Sequence, residues 1–124
     1  MRLGDVFEWA TPKAKGHDLR TKFHVFICRQ GRESTFLFVS SEDFGGDFEI
    51  TNPPHEFLWK GNGYICTRSV VTYTDDELDG FAEEPVGRLT DDDITGLNFA
   101  ISNSFSMEQG HIRLICGEIA KRFA

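Results

Sequence analysis

The feature that narrows the fold most is the junction Val86-Gly87-Arg88-Leu89-Thr90 followed by Asp91-Asp92-Asp93. Thr90 carries the short hydroxyl that caps a helix N-terminus, and Asp93, three residues on, can reach back as an acidic relative of the capping box. Three carboxylates in a first turn sit at the positive end of the helix dipole, where negative charge is favoured. Beyond them Ile94, Leu97, Ile101 and Phe105 recur on one helical face. The junction predicts a short strand over 86–89 that turns directly into a packed amphipathic helix.

Upstream the pattern is that of strands and turns. Residues 4–9 form a short strand carrying Val6, Phe7 and Trp9, followed by a polar loop over 11–18. Residues 23–28 are apolar on both faces, as a central strand requires. The turn at Gln30-Gly31-Arg32 joins them to 35–39 in an antiparallel hairpin. Phe48-Glu49-Ile50 is a short strand ahead of the Asn52-Pro53-Pro54-His55 break. Phe57-Leu58-Trp59 and Tyr64-Ile65-Cys66 then predict a second hairpin, with Asn62-Gly63 accepting positive φ at its turn. Residues 69–73 extend or follow that strand, and 74–84 are an acidic connection. Ser106 with Gln109 opens a second helix with the face Ile112, Ile115, Ile119 and Phe123, although Gly110 and Gly117 weaken it. Strands followed by helices give an α+β class: a small antiparallel barrel or coiled sheet over about 3–89, and a helical part over about 90–124.

A chain of 124 residues reads as one domain, 1–124, long enough for a single buried core, and its 12 phenylalanines predict that aromatic packing builds much of the interior. The net charge of −7 supplies no general attraction to nucleic acid or anionic membrane, so an RNA-directed site needs a local basic cluster. Cys28, Cys66 and Cys116 are widely spaced with no CxxC, as in a reducing cytosol with free thiols. No signal-peptide pattern opens the sequence, and no apolar run approaches the ~20 residues that span a membrane. These features predict a cytoplasmic protein without a membrane partner.

Several chemistries find no support in the spacing. His17, His24, His55 and His111 show no metal-ligand interval, and neither a metal nor a cofactor is expected. Consecutive helical side chains point about 100° apart, so Asp91, Asp92 and Asp93 cannot converge on a cation and are assigned to capping. There is no GxSxG, and Gly61-Asn62-Gly63 lacks the lysine and helix start of a phosphate loop. What remains is Lys13, Lys15, His17, Arg20 and Lys22, all within ten residues of an otherwise acidic chain. Two readings are open: a solvated basic loop, or a site for a phosphate backbone. In the second, His17 would serve as acid or base, Arg20 or Lys22 would stabilise a pentavalent phosphate, and Ser40 and Ser41 would add hydroxyls.

The order of elements resembles the MazF/PemK family of toxins from bacterial toxin–antitoxin systems over residues 3 to about 105. Gly4-Asp5-Val6-Phe7 is similar to the family's first strand, Gly16-His17-Asp18 to the opening of its first loop, and Leu37-Phe38-Val39-Ser40-Ser41 to the strand ending in paired hydroxyl residues. Gly63-Tyr64-Ile65-Cys66-Thr67-Arg68-Ser69-Val70 is similar to the next strand, and 86–90 to the last strand and its helix. The resemblance implies an SH3-like barrel, often a homodimer, that cuts single-stranded RNA without metal through attack by the 2′-hydroxyl. It implies a cognate antitoxin as partner and inhibition of growth as outcome. By position it assigns His17, Lys22 and Ser40 to catalysis and Arg20, Ser41 and Arg68 to substrate binding.

The chain also departs from the family. Its usual Arg-Pro before the second strand is replaced around Lys22-Phe23-His24, and Lys lacks the planar fork of Arg. The Arg and Asp of the PemK branch fall at Ile65 and Thr67, with Arg68 nearby. A second reading is a non-catalytic or degenerate barrel, related to MazF and the CcdB-type gyrase poisons, that binds a protein partner. A third is an unrelated α+β protein. Phe44, Phe48, Phe57 and Trp59 are candidates for a surface shared in a dimer or for cover of the barrel end.

Overall fold

Apolar sequence on both faces of 23–28 and 35–39 demands cover on both sides of a sheet. The structure, a computed structural model describing residues 1–14, 16 and 18–124, supplies it. Strands β1 (Asp5–Thr11), β2 (Arg20–Gln30), β3 (Glu33–Ser40), β4 (Phe48–Thr51), β5 (Asn62–Ile65), β6 (Val71–Thr74) and β7 (Gly87–Arg88) form one antiparallel sheet in the order β4-β5-β3-β2-β1-β7. β3 divides its outer edge. Its first half, from Glu33 to Phe36, pairs with β6, while Val39 and Ser40 pair with Ile65 and Tyr64 of β5. A register shift between Phe26 and Cys28 bulges β2, and bulges bend and twist a strand. The sheet curls into a half-barrel. With the C-terminal helices it forms the α+β, small barrel-like fold that the sequence predicts.

Each face has its own core. On one, Val6, Val25, Ile27, Leu37, Val39, Ile50 and Ile65 pack with Ile94, Leu97 and Ile101 of α2 (Asp91–Ser102) and Ile112, Ile115 and Ile119 of α3 (Gln109–Arg122). The other is aromatic: Phe7, Trp9, Phe26, Phe36 and Tyr73, closed by Val71. Trp9 lies between Phe7, 4.8 Å between centroids, and Phe81, 4.6 Å, and its Nε1 donates to the Ala82 carbonyl at 2.8 Å. The residues between β6 and β7 thereby cover the second face.

The strand-to-helix junction forms as predicted, with Thr90 Oγ1 accepting from the Asp93 amide at 3.1 Å. The reciprocal half of the capping box does not form. Asp93 instead directs its carboxylate to Nε2 of buried His55, and Asp91 pairs with Arg122 at 3.0 Å. α2 stops at Ser102, so Phe105 leaves the predicted face and is fully exposed; Phe123, beyond the end of α3, is exposed as well. Gly110 and Gly117 do not break α3, because three buried isoleucines hold it to the sheet. Gly96 has a packing reason: a Cβ there would lie 2.5 Å from the Phe48 ring, so its absence lets β4 approach α2.

The predicted second hairpin is absent. Asn62 and Gly63 begin β5, which pairs with β4 from Phe48↔Ile65 to Thr51↔Asn62, and residues 52–61 become the connection. Gly61, at φ +96°, takes the left-handed turn. Leu58 drops into the core, and a Cβ on Gly63 would come within 2.9 Å of Val39 and 3.0 Å of Leu58. That close approach, rather than turn geometry, explains Gly63. The acidic connection opens with a further short helix, α1 (Asp75–Leu78), started by a capping box between Thr74 and Glu77. Among the described residues no helix is long and apolar enough to cross a membrane. All three cysteines are free thiols.

Candidate functional site

β2 enters the sheet at Arg20 and β3 leaves it at Ser40. Because Phe23 pairs with Val39, Lys22 and Ser40 lie one step beyond on adjacent strands, at one end of the sheet. Both border two hollows. The larger, about 690 Å³, is also lined by Lys13, Arg20, Phe44 and Arg68. The smaller, about 290 Å³, is also lined by Ser41, Trp59 and Lys60. Lys22 and Ser40 therefore form a ridge between two concavities. Arg20 and Arg68 lie on one side of it and Ser41 on the other. His17 lies outside the described residues; Gly16, which precedes it in sequence, lines the larger hollow.

Four cations border the larger hollow in a chain of net charge −7. Two are engaged. Lys13 Nζ donates to the Thr72 carbonyl at 2.7 Å and pairs with Glu77 at 2.9 Å. Arg68 Nε donates to Asp47 at 3.3 Å, and its guanidinium lies 4.9 Å from the Phe44 ring centroid. The Asp47 side chain is fully buried and also accepts from the Thr67 amide, so Arg68 is held from beneath. Arg20 and Lys22 have no ion-pair partner among the described residues. They are the charges free to meet an anion.

Under this end of the sheet lies a buried polar chain. His24 Nδ1 is 2.9 Å from the Lys22 carbonyl and Nε2 is 2.8 Å from the Tyr73 hydroxyl, which is 2.7 Å from Thr11 Oγ1. A carbonyl only accepts, so Nδ1 carries the proton. Burial pushes the His24 pKa down to about 4, against the Lys22 carbonyl bond that favours charge and with the Lys22 ammonium that opposes it. The ring is neutral at about pH 7. Its bond to the Lys22 carbonyl fixes the backbone of the ridge.

No protein-family model matches the chain, and no curated protein matches it. The chemistry at this end of the sheet rests on its own geometry. A lysine point charge beside a serine hydroxyl, flanked by guanidinium groups, can bind a phosphate and neutralise charge that develops on its oxygens. Nothing in the sequence points to His24, Tyr73 or Asp47 as parts of this end of the sheet, because each reaches it through a tertiary contact that no local spacing encodes. Lys60 had a local signal, a cation next to an aromatic in a proline-rich connection. Of the four aromatics considered for a shared surface, Phe48 packs on α2 at Gly96, and Phe57 packs against Gly87 and Phe23; Phe44 and Trp59 are exposed.

Proposed function

We propose that this chain is a MazF/PemK-like toxin, a metal-independent endoribonuclease acting on single-stranded RNA in the cytoplasm. The observation that carries the reading is the Lys22–Ser40 ridge between two concavities, with Arg20 beside it and unpaired among the described residues. The ribose 2′-oxygen attacks the adjacent phosphorus, the new O–P bond replaces the bond to the 5′-oxygen, and the products are a 2′,3′-cyclic phosphate and a 5′-hydroxyl. The 2′-hydroxyl gives up a proton and the leaving 5′-oxygen gains one. His17 takes the acid or base role on the family resemblance alone. Lys22 Nζ offsets charge on the non-bridging oxygens, and Ser40 donates to one of them. Arg20, Ser41 and Arg68 hold neighbouring phosphates. A cognate antitoxin and a second copy of the chain are the partners this reading carries with it.

The test is induction of the wild type, His17→Ala and Lys22→Ala in bacteria, with growth and new RNA 5′ ends followed together. The wild type should arrest growth and generate 5′-hydroxyl ends, and loss of the lysine should lower cleavage by roughly 10²- to 10³-fold. Growth arrest without new ends would sink the ribonuclease reading. That outcome would leave a non-catalytic barrel that binds a protein partner. One observation favours this second reading: Glu77 and Asp47 already neutralise Lys13 and Arg68, which weakens the pull on a phosphate backbone.

A further inference from the structure

We propose that Trp59 and Lys60 form a stacking subsite for one unpaired base of single-stranded RNA, next to the phosphate held at Lys22 and Ser40. The inference rests on the ribonuclease reading and adds a place for the substrate's base. Trp59 is 77% exposed, whereas the only other tryptophan, Trp9, is 4% exposed. The indole sits at the 290 Å³ hollow it shares with Lys22, Ser40 and Ser41, so a base stacked there belongs to a nucleotide adjoining the ridge. Lys60 Nζ lies over the indole, 5.1 Å from the ring centroid, so the ammonium covers one face and a base stacks on the other.

Trp59 is presented by an ordered connection. Leu58 is buried, its amide donates to the His55 carbonyl at 3.1 Å, and the Gly61 amide donates to the Leu58 carbonyl at 2.9 Å. The Asn52 amide closes the connection on the Gly61 carbonyl at 2.8 Å. His55, at the base, bonds to Asp93 of α2. An exposed indole on a backbone held in this way loses less conformational freedom on binding than one on an unbonded loop. Every base has a π-face, so the subsite tolerates sequence, while the stacked interior of a duplex offers no free face.

Trp59 fluorescence supplies the test, because Trp9 is shielded. The probe is a short single-stranded oligodeoxynucleotide, which has the bases but no 2′-hydroxyl and so is not cut. Its binding is followed separately by anisotropy of an attached dye. Saturable quenching, a roughly ten- to hundredfold loss of affinity in Trp59→Ala and its retention in Trp59→Phe would support the subsite. Probe binding without quenching, and with equal affinity in Trp59→Ala, would overturn the subsite and leave the ribonuclease reading standing. Failure of the probe to bind would also overturn it. Quenching by the probe with no cleavage of any RNA would keep the subsite and remove the ribonuclease.

Discussion

Acidification should weaken this fold through His24 in an amount that the burial of the ring sets. In the folded chain its pKa is lowered from 6.5 to about 4 by desolvation. A histidine with a depressed folded pKa contributes full stability above the unfolded value. That contribution fades as pH falls, because the unfolded chain takes the proton first. Each pH unit between the two values costs about 1.36 kcal/mol, so the loss approaches roughly 3 kcal/mol in total and about 2 kcal/mol by about pH 5. For a domain of this size that moves the urea midpoint down by about 1 M. Urea titrations of the wild type and His24→Gln near neutrality and at about pH 5 isolate the effect, since the acidic residues titrate in both. The wild type should lose about 2 kcal/mol more than the variant. An NMR titration of the ring in the wild type checks the same point without a substitution. Equal pH dependence in the two proteins, or a ring that titrates near 6.5, would refute the reasoning.

Two stability predictions follow from the helical layer. Gly96→Ala should destabilise by about 1–3 kcal/mol, despite a helix propensity that favours alanine, because the new Cβ meets the Phe48 ring at 2.5 Å. Urea denaturation decides it, and a stabilised variant would show that Phe48 moves freely. Thr90→Ala should cost about 1 kcal/mol of the same stability by removing the acceptor for the Asp93 amide, and no change in midpoint would show that the cap is dispensable.

The parts of the fold that could be read in advance are those written in local periodicity. Ile94, Leu97 and Ile101 at helical spacing and the two-sided apolar strands needed no distant information. Local pattern gives way where a distant partner decides. Asn62-Gly63 has turn chemistry, yet β5 is claimed by β3 and β4 because Leu58 fills the core behind Gly63. The helical period continued to Phe105 on paper, but the chain leaves the helix after Ser102. Within the candidate site, Lys22 and Ser40 follow from one hairpin register. Arg68 arrives from between β5 and β6 and is held by Asp47, 21 residues earlier, a pairing that no motif announces.

The bond between His55 and Asp93 ties the connection over 52–61 to the first turn of α2, across 38 residues of sequence. Phe57 strengthens the tie by lying against Gly87 on β7. A surface connection ordinarily opens on its own, with amides that exchange with solvent far faster than those of the helices. Here the amides of Leu58 and Gly61 are bonded inside a segment whose release requires α2 to let go of His55. Exchange of the Leu58 and Gly61 amides should therefore follow that of the first turn of α2 rather than that of a free loop, so the helical layer sets how long the exposed indole keeps its place.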